Sequence, residues 1–274
     1  MSTVVSFLLR FEGAEADHGR LPLYDGAHSI TGFARCVNLV AHSFANNEEI
    51  RQKGDNPKDV KTYIHPSTKG CFEEQIDVEF SEKLAEKIGP SVLSKNFWDY
   101  LIWSWSAAIG QDYTPVTPYV RKKESSDTPY SEDIGEALES AMIELHRVIS
   151  SNPEVSITLV RLRGKEELVF DIESYKFVAK KTRSPRKIYK YGNVTKYNIL
   201  SGNGRFFDEG EKRVISFKLI DHKNKENDEA LAVRSMEERI LGDKGKLRFY
   251  GYTISNVHGT VKLCLIERIE LEDL

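Results

Sequence analysis

IYKYGNVTKYNILSGNGRFFDEGEKRVISFKLI, residues 188–220, is the stretch that decides how the C-terminal part of this chain folds. Three apolar and aromatic runs, 188–199, 204–208 and 213–220, are separated by Ser201-Gly202-Asn203-Gly204 and by Gly210. Val, Ile, Phe and Tyr suit a pleated, half-buried surface, and Gly and Asn accept the backbone angles of tight reversals. A short helical pattern at 227–241 follows, then two more strand patterns, 246–254 and 260–269. Short strands with repeated turn signals predict a small β-barrel of the OB or SH3-like kind over 188–274.

Upstream the periodicity changes. VVSFLLRF (4–11) reads as a buried strand ended by Glu12-Gly13. Ile30, Phe33, Val37, Val40, Ala41 and Phe44 then recur at helical spacing, with Asp25 as the N-cap and Asn46-Asn47 as the stop. Residues 60–66 and 71–80 read as a hairpin around Ser67-Thr68-Lys69-Gly70. Ser81 is placed to cap a helix at 82–88, Ser94 one at 95–109, and Ser131 one at 132–150. The proline-containing stretch 111–130 reads as a loop. VSITLVRL (155–162) and LVFDI (168–172) form a second hairpin around Gly164–Glu167. This order predicts an α+β domain over 1–181, an antiparallel sheet with packed helices. TRSPRK (182–187), broken by Pro185, reads as a basic linker between the domains.

Of the 274 residues, 40 % are hydrophobic and 30 % charged, which provides for a real core and excludes wholesale disorder. No basic n-region precedes the first apolar run, so no secretory signal is expected. The longest nearly apolar run, FWDYLIWSWSAAI (97–109), has 13 residues and contains Asp99. A bilayer span needs about 20, so this is a buried helix and no membrane partner is expected. Trp98, Trp103 and Trp105 leave an interfacial segment as the alternative. Cys36, Cys71 and Cys264 form no CxxC pair, which argues against a disulfide framework or a zinc finger and for a cytoplasmic protein. HExxH, GxSxG, P-loop and GxGxxG patterns are missing, so no metal and no cofactor are expected.

The net charge of −3 is unevenly spread: −9 over 1–160, +7 over 161–200 and −1 over 201–274. Between Lys176 and Lys196 there are eight Lys or Arg and no Asp or Glu, with tyrosines interleaved. Cations neutralise phosphates and aromatic faces stack bases. The candidate nucleic-acid-binding residues are Lys180, Lys181, Arg183, Arg186, Lys187, Tyr189, Lys190 and Tyr191, joined by Arg205 and Phe206 beyond the glycine turn. A solvated basic surface, or docking on an acidic partner or on the acidic N-terminal half, accounts for the same composition.

The N-terminal half offers a second cluster. Asp17, His18, Arg20 and Asp25 precede or open the first helix, and His28, Arg35 and His42 follow at seven-residue spacing on one face. A histidine beside a carboxylate can act as a general base and an arginine can hold an anion. The alternative is a polar helix face or an interface. His146 reads as a surface residue.

RFEG (10–13), LPLYDGAHSITGFAR (21–35) and YIHPSTKGCFE (63–73) resemble the N-terminal domain of an uncharacterised bacterial two-domain family. Gly202-Asn203-Gly204-Arg205 and Ile215-Ser216-Phe217 resemble its companion domain, a small five-stranded barrel. The resemblance implies a place in bacterial mobile or defence islands and assigns no catalytic residue. The expected function is a non-enzymatic binding protein of a defence-type system that contacts nucleic acid or another phosphate-rich, nucleotide-like ligand. The alternatives are a protein-interaction subunit, in a homo-oligomer or larger complex, and an enzyme using Asp17, His18, Arg20, Asp25 and His28.

Overall fold

Thr3–Glu12 (β1) alternates strictly, with Val5, Phe7, Leu9 and Phe11 buried on one side. The structure, a computed structural model, describes residues 2–51, 54, 57–65, 72–124, 130–162, 167–242 and 244–271. The expected turn Ser67–Gly70, Cys71, most of the expected 164–167 turn and the side chain of Ser131 lie outside the described residues. The chain divides into two compact units, Met1–Ala179 and Lys180–Leu274.

In the first unit β1 is central. It is followed by α1 (Leu23–Ala45), β2 (Val60–Ile64), β3 (Phe72–Phe80), α2 (Glu82–Ile88), α3 (Pro90–Ile109), α4 (Pro118–Glu124), α5 (Tyr130–Leu145), α6 (Arg147–Ser151), β4 (Ser156–Arg161), β5 (Glu167–Phe170) and α7 (Ile172–Ala179). The strands make one antiparallel sheet in the order β2-β3-β1-β4-β5. The aromatic core joins β1 to the helices: Phe7 packs on Phe33 of α1 and Trp98 of α3, and Phe33 packs edge-on against Trp105 at 5.6 Å. Gly32 lets α1 approach α5, because a Cβ there would lie 2.2 Å from the Leu145 nitrogen. Trp98, Trp103 and Trp105 are all buried, and no helix among the described residues is long and apolar enough to cross a membrane.

Several helix boundaries differ from expectation. Helix α1 starts after Pro22, so Asp25 sits inside its first turn rather than at the N-cap. Helix α3 starts at Pro90 after Gly89, four residues before the expected cap Ser94, since proline suits the first helical turn. The expected loop 111–130 contains α4, and α7 begins at Ile172, the last residue of the expected strand 168–172. The expected helix 132–150 is two helices, α5 and α6, that meet at His146. His146 is fully buried, not a surface residue: Nδ1–H donates to the Met142 carbonyl at 2.7 Å, and Nε2 lies 2.8 Å from Ser174 Oγ. His42 is buried too, and its Nδ1 accepts the Lys58 backbone N–H at 3.0 Å.

Asp99, the charge inside the apolar run, is buried because it is fully used. Its Oδ1 accepts from Tyr113 Oη at 2.8 Å and the Val116 N–H at 2.9 Å; its Oδ2 accepts from the Thr117 N–H at 2.7 Å and Oγ1 at 2.6 Å. These bonds pin the 113–117 segment to α3, as burial of a carboxylate requires.

The second unit holds β6 (Thr182–Arg183), β7 (Ile188–Asn198), β8 (Asn203–Asp208), β9 (Arg213–Leu219), α8 (Glu226–Ile240), β10 (Leu247–Ser255) and β11 (Val261–Leu271). Strands β7, β8, β9, β11 and β10 pair in that order and β10 returns to β7, which closes a five-stranded barrel. Strands β9 and β11 are parallel, every other pairing is antiparallel, and α8 lies between β9 and β10 in sequence. A meander, a helix and a returning hairpin closed this way have the connectivity of an OB-type barrel. Val194, Phe206, Phe217, Leu219, Phe249 and Ile266 fill it. The stretch 182–187 is not a free linker: Thr182 and Arg183 pair with β10, and Ser184 exchanges hydrogen bonds with Thr253.

Two outcomes follow from the buried polar groups. Asp99→Ala strips the acceptor from two backbone and two hydroxyl donors and should lower the stability of the first unit by about 2–4 kcal/mol. Tryptophan fluorescence in urea checks this, since all three tryptophans lie in α3. Burial holds the pKa of both His146 and His42 below the ordinary imidazole value, with Arg51 adding to the effect at His42. The folded state favours neutral rings, whereas the unfolded chain takes up protons below about pH 6.5. This stability is present above that pH and lost as the pH falls below it, so the same fluorescence midpoint should drop from pH 7.5 to 5.5, and drop less in His146→Gln.

Candidate nucleic-acid interface

The wall of the barrel made by β7, β10 and β11 is built by strand alternation. On β10, Leu247, Phe249, Gly251 and Thr253 point inward and are buried, which sends Arg248, Tyr250 and Tyr252 outward. Strand β7 adds Tyr189 and Tyr191 to the same wall, and β11 adds Arg268 and Glu270. The register aligns Tyr189, Tyr250 and Arg268 in one row, and Tyr191, Arg248 and Glu270 in the next. The rings of Tyr189 and Tyr250 are 6.2 Å apart, and the Arg268 guanidinium lies 4.9 Å from the Tyr250 ring. Strand β6 completes the wall from the other side by stacking Arg183 on Tyr252 at 3.8 Å. Lys246 reaches over Tyr191 at 5.9 Å.

The result is four tyrosines bordered by four cations; three of the tyrosines, Tyr189, Tyr191 and Tyr250, line an open groove of about 730 Å³ together with Lys190, Asp208, Glu209 and Arg248. Carboxylates thread the border. Arg268 pairs with Glu270 at 3.1 Å and Lys246 with Glu209 at 3.0 Å. Hydrogen bonds from Lys212 and Lys246 pull the Glu209 carboxyl down to about 2, so it stays ionised at the groove's edge. Tyrosine faces stack bases, and arginine adds both planar stacking and bidentate phosphate contacts.

The structure sorts the residues expected from the sequence. Tyr189 is 66 % exposed on this wall, and Tyr191 and Arg183 join it. Lys180, Lys181 and Arg186 are exposed, with no carboxylate partner among the described residues. Lys187 pairs with Glu267 at 2.6 Å, which raises its pKa. Lys190 turns to the other side of its strand, to Asp208 at 3.2 Å and to Glu211. Burial alone would lower the Lys190 pKa, but those two acceptors outweigh it and hold the pKa above the ordinary value. Arg205 lies on the β7–β8–β9 wall, opposite Lys196 and Ser216 and near Lys218. Phe206 does not reach the rim: it is fully buried and stacks on Phe249 at 4.4 Å, because β8 turns alternate residues inward. Arg248, Tyr250, Tyr252 and Arg268 escaped the sequence reading, although the alternating Arg248-x-Tyr250-x-Tyr252 was their signal.

The N-terminal candidates do not converge in the way the alternative enzyme reading requires. Asp17 Oδ1 accepts the Gly13 N–H at 2.7 Å, and among the described residues no hydrogen bond or ion pair joins Asp17, His18 or Arg20 to Asp25 or His28. Asp25 instead pairs with Arg147 at 2.9 Å, while His28 and Arg35 both hold Glu144, at 3.2 and 2.5 Å. These contacts tie α1 to α5 and α6. No group of three or more His, Cys, Asp or Glu among the described residues is placed to hold a metal. Cys36 and Cys264 are buried thiols whose pKa burial pushes up, Cys264 to about 12.

Residues 7–142 match the family model of a domain of unknown function, DUF7946. No curated protein and no solved structure matches the chain.

Lys190→Met removes the cation beside Asp208, whose side chain is 2 % exposed. It should cost the barrel about 3 kcal/mol, visible as a lowered barrel transition in calorimetry, whereas Lys187→Met, on the open surface, should leave that transition in place.

Proposed function

We propose that this protein is a non-enzymatic binder of single-stranded nucleic acid, acting through the tyrosine–arginine wall of its barrel. The observation that carries the reading is the joining of Tyr189, Tyr191, Tyr250 and Tyr252 with Arg183, Arg248 and Arg268 from four strands on one surface. Tyr189 and Tyr191, like Tyr250 and Tyr252, stand two apart on a strand, about 6.7 Å, and the Tyr189 and Tyr250 rings stand 6.2 Å apart across the two strands. Rings at this spacing meet bases one by one along an extended strand. A duplex hides its base faces in its own stack, so the wall favours single strands. The resemblance of the chain's motifs to an uncharacterised bacterial two-domain family, which implies a place in mobile or defence islands, supports a defence-type setting for this activity.

Fluorescence anisotropy with a labelled single-stranded oligonucleotide, titrated from 50 to 200 mM salt, tests the reading. Stacking contributes about 1–3 kcal/mol per base. Tyr189→Ala with Tyr250→Ala should therefore weaken binding at least about tenfold, with the salt slope kept. Arg183→Gln with Arg268→Gln should flatten the slope by about 0.7 per lost phosphate contact. No binding at low salt, or wild-type affinity in the tyrosine variant, removes the proposal.

A further inference from the structure

Among the described residues the sheet of the first unit ends at β2, and an open groove of about 860 Å³ runs across that end of the sheet, lined by β2, by Glu79 and Phe80 of β3 and by Ser2. Hydrogen-bond parity shows what that edge offers. Ser81 donates its N–H to the Asp59 carbonyl, and His65 donates to Gln75, so odd-numbered residues of this strand face β3. In an antiparallel ladder the intervening residues turn the other way. Val60, Thr62 and Ile64 therefore present their N–H and C=O groups at the open edge. Tyr63 and Ile64 are exposed beside them, 48 % and 53 %. Neither a proline nor a bulge interrupts VKTYI, and Lys61 is the one edge charge of the kind that discourages indiscriminate pairing.

We infer that this edge pairs with the same edge of a second copy of the chain, as an antiparallel β2–β2 ladder with its two-fold axis at Thr62. The strand is self-complementary in that register. Thr62 meets Thr62 of the copy, and Val60 meets Ile64, all as hydrogen-bonded pairs. Lys61 then meets Tyr63 of the copy as a non-hydrogen-bonded pair, the kind whose side chains lie closest. This gives two Lys–Tyr cation–π contacts related by symmetry. Sliding the register by two residues one way sets Lys61 against Lys61, and the other way sets Lys61 against His65. Both shorten the ladder and bring like or titratable cations together. Only the register centred on Thr62 pairs all five residues of the open edge.

Size-exclusion chromatography with light scattering, on nuclease-treated full-length protein in 0.5 M salt, tests the inference without nucleic acid. The expected mass is twice 31.3 kDa at about 100 μM, falling toward the single-chain value on dilution. Thr62→Pro deletes an edge N–H that β3 does not use and should give a single-chain mass with an unchanged circular dichroism spectrum. Tyr63→Lys should do the same by setting ammonium against ammonium. Adding Lys61→Glu to Tyr63→Lys pairs opposite charges and should restore the doubled mass. A single-chain mass for the wild type at 100 μM overturns the inference. So does a doubled mass that survives both Thr62→Pro and Tyr63→Lys. If Thr62→Pro fails to fold, the Tyr63→Lys pair of measurements decides.

Discussion

Closure of the barrel depends on β7, one strand that must serve two neighbours. Its first half pairs with β10 and its second with β8, and Gly192 stands in register with both Leu247 and Asp208. Phe207 crosses so close there that a Cβ on Gly192 would lie 1.8 Å from its carbonyl oxygen. Only glycine passes that point. The strand then bulges between Val194 and Lys196, which adds twist and turns its second half onto another wall. The consequence for function is direct. A basic and aromatic segment that is continuous in sequence is divided in space: Tyr189 and Tyr191 face one wall, and Lys196 faces the other beside Arg205.

The first unit is governed by the opposite constraint, the burial of polar groups among aromatics. Helix α3 is apolar nearly all round, so it lies inside, and the one carboxylate on its apolar run must be satisfied there. Asp99 meets that demand by drawing four donors from the segment that follows the helix. His146 meets it at the junction of α5 and α6, where one ring nitrogen reaches Met142 and the other Ser174 of the next layer. Each of these groups fixes a chain direction that apolar packing alone leaves open.

Much of this was legible in the sequence because strand alternation and turn glycines are local signals. The barrel strands, the two N-terminal hairpins and the α+β layering all follow from period and punctuation. What was not legible depended on contacts distant in sequence. The break at His146 needs Ser174, 28 residues away. Phe206 looked like a rim residue because a glycine turn precedes it, but the register of β8 decides its side, and that register is set by β7 and β9. The candidate interface was half visible for the same reason. Its β7 residues lie in the basic segment, and its β10 and β11 residues lie about sixty and eighty positions further on.

Counting charge in the sequence also overstates what is free to meet a ligand. Lys176 is paired with Glu173, Lys187 with Glu267, and Lys190 with Asp208 and Glu211. Of the cations on the tyrosine wall, Arg268 and Lys246 already have carboxylate neighbours. A phosphate that displaces those carboxylates gains little, because one ion pair is exchanged for another. A ring face gives up only water when a base covers it. Under the proposed function, binding on this wall would therefore draw more on stacking than on charge, and the +7 strip would contribute less through its electrostatic sum than through where it places Tyr189, Tyr191 and Arg183.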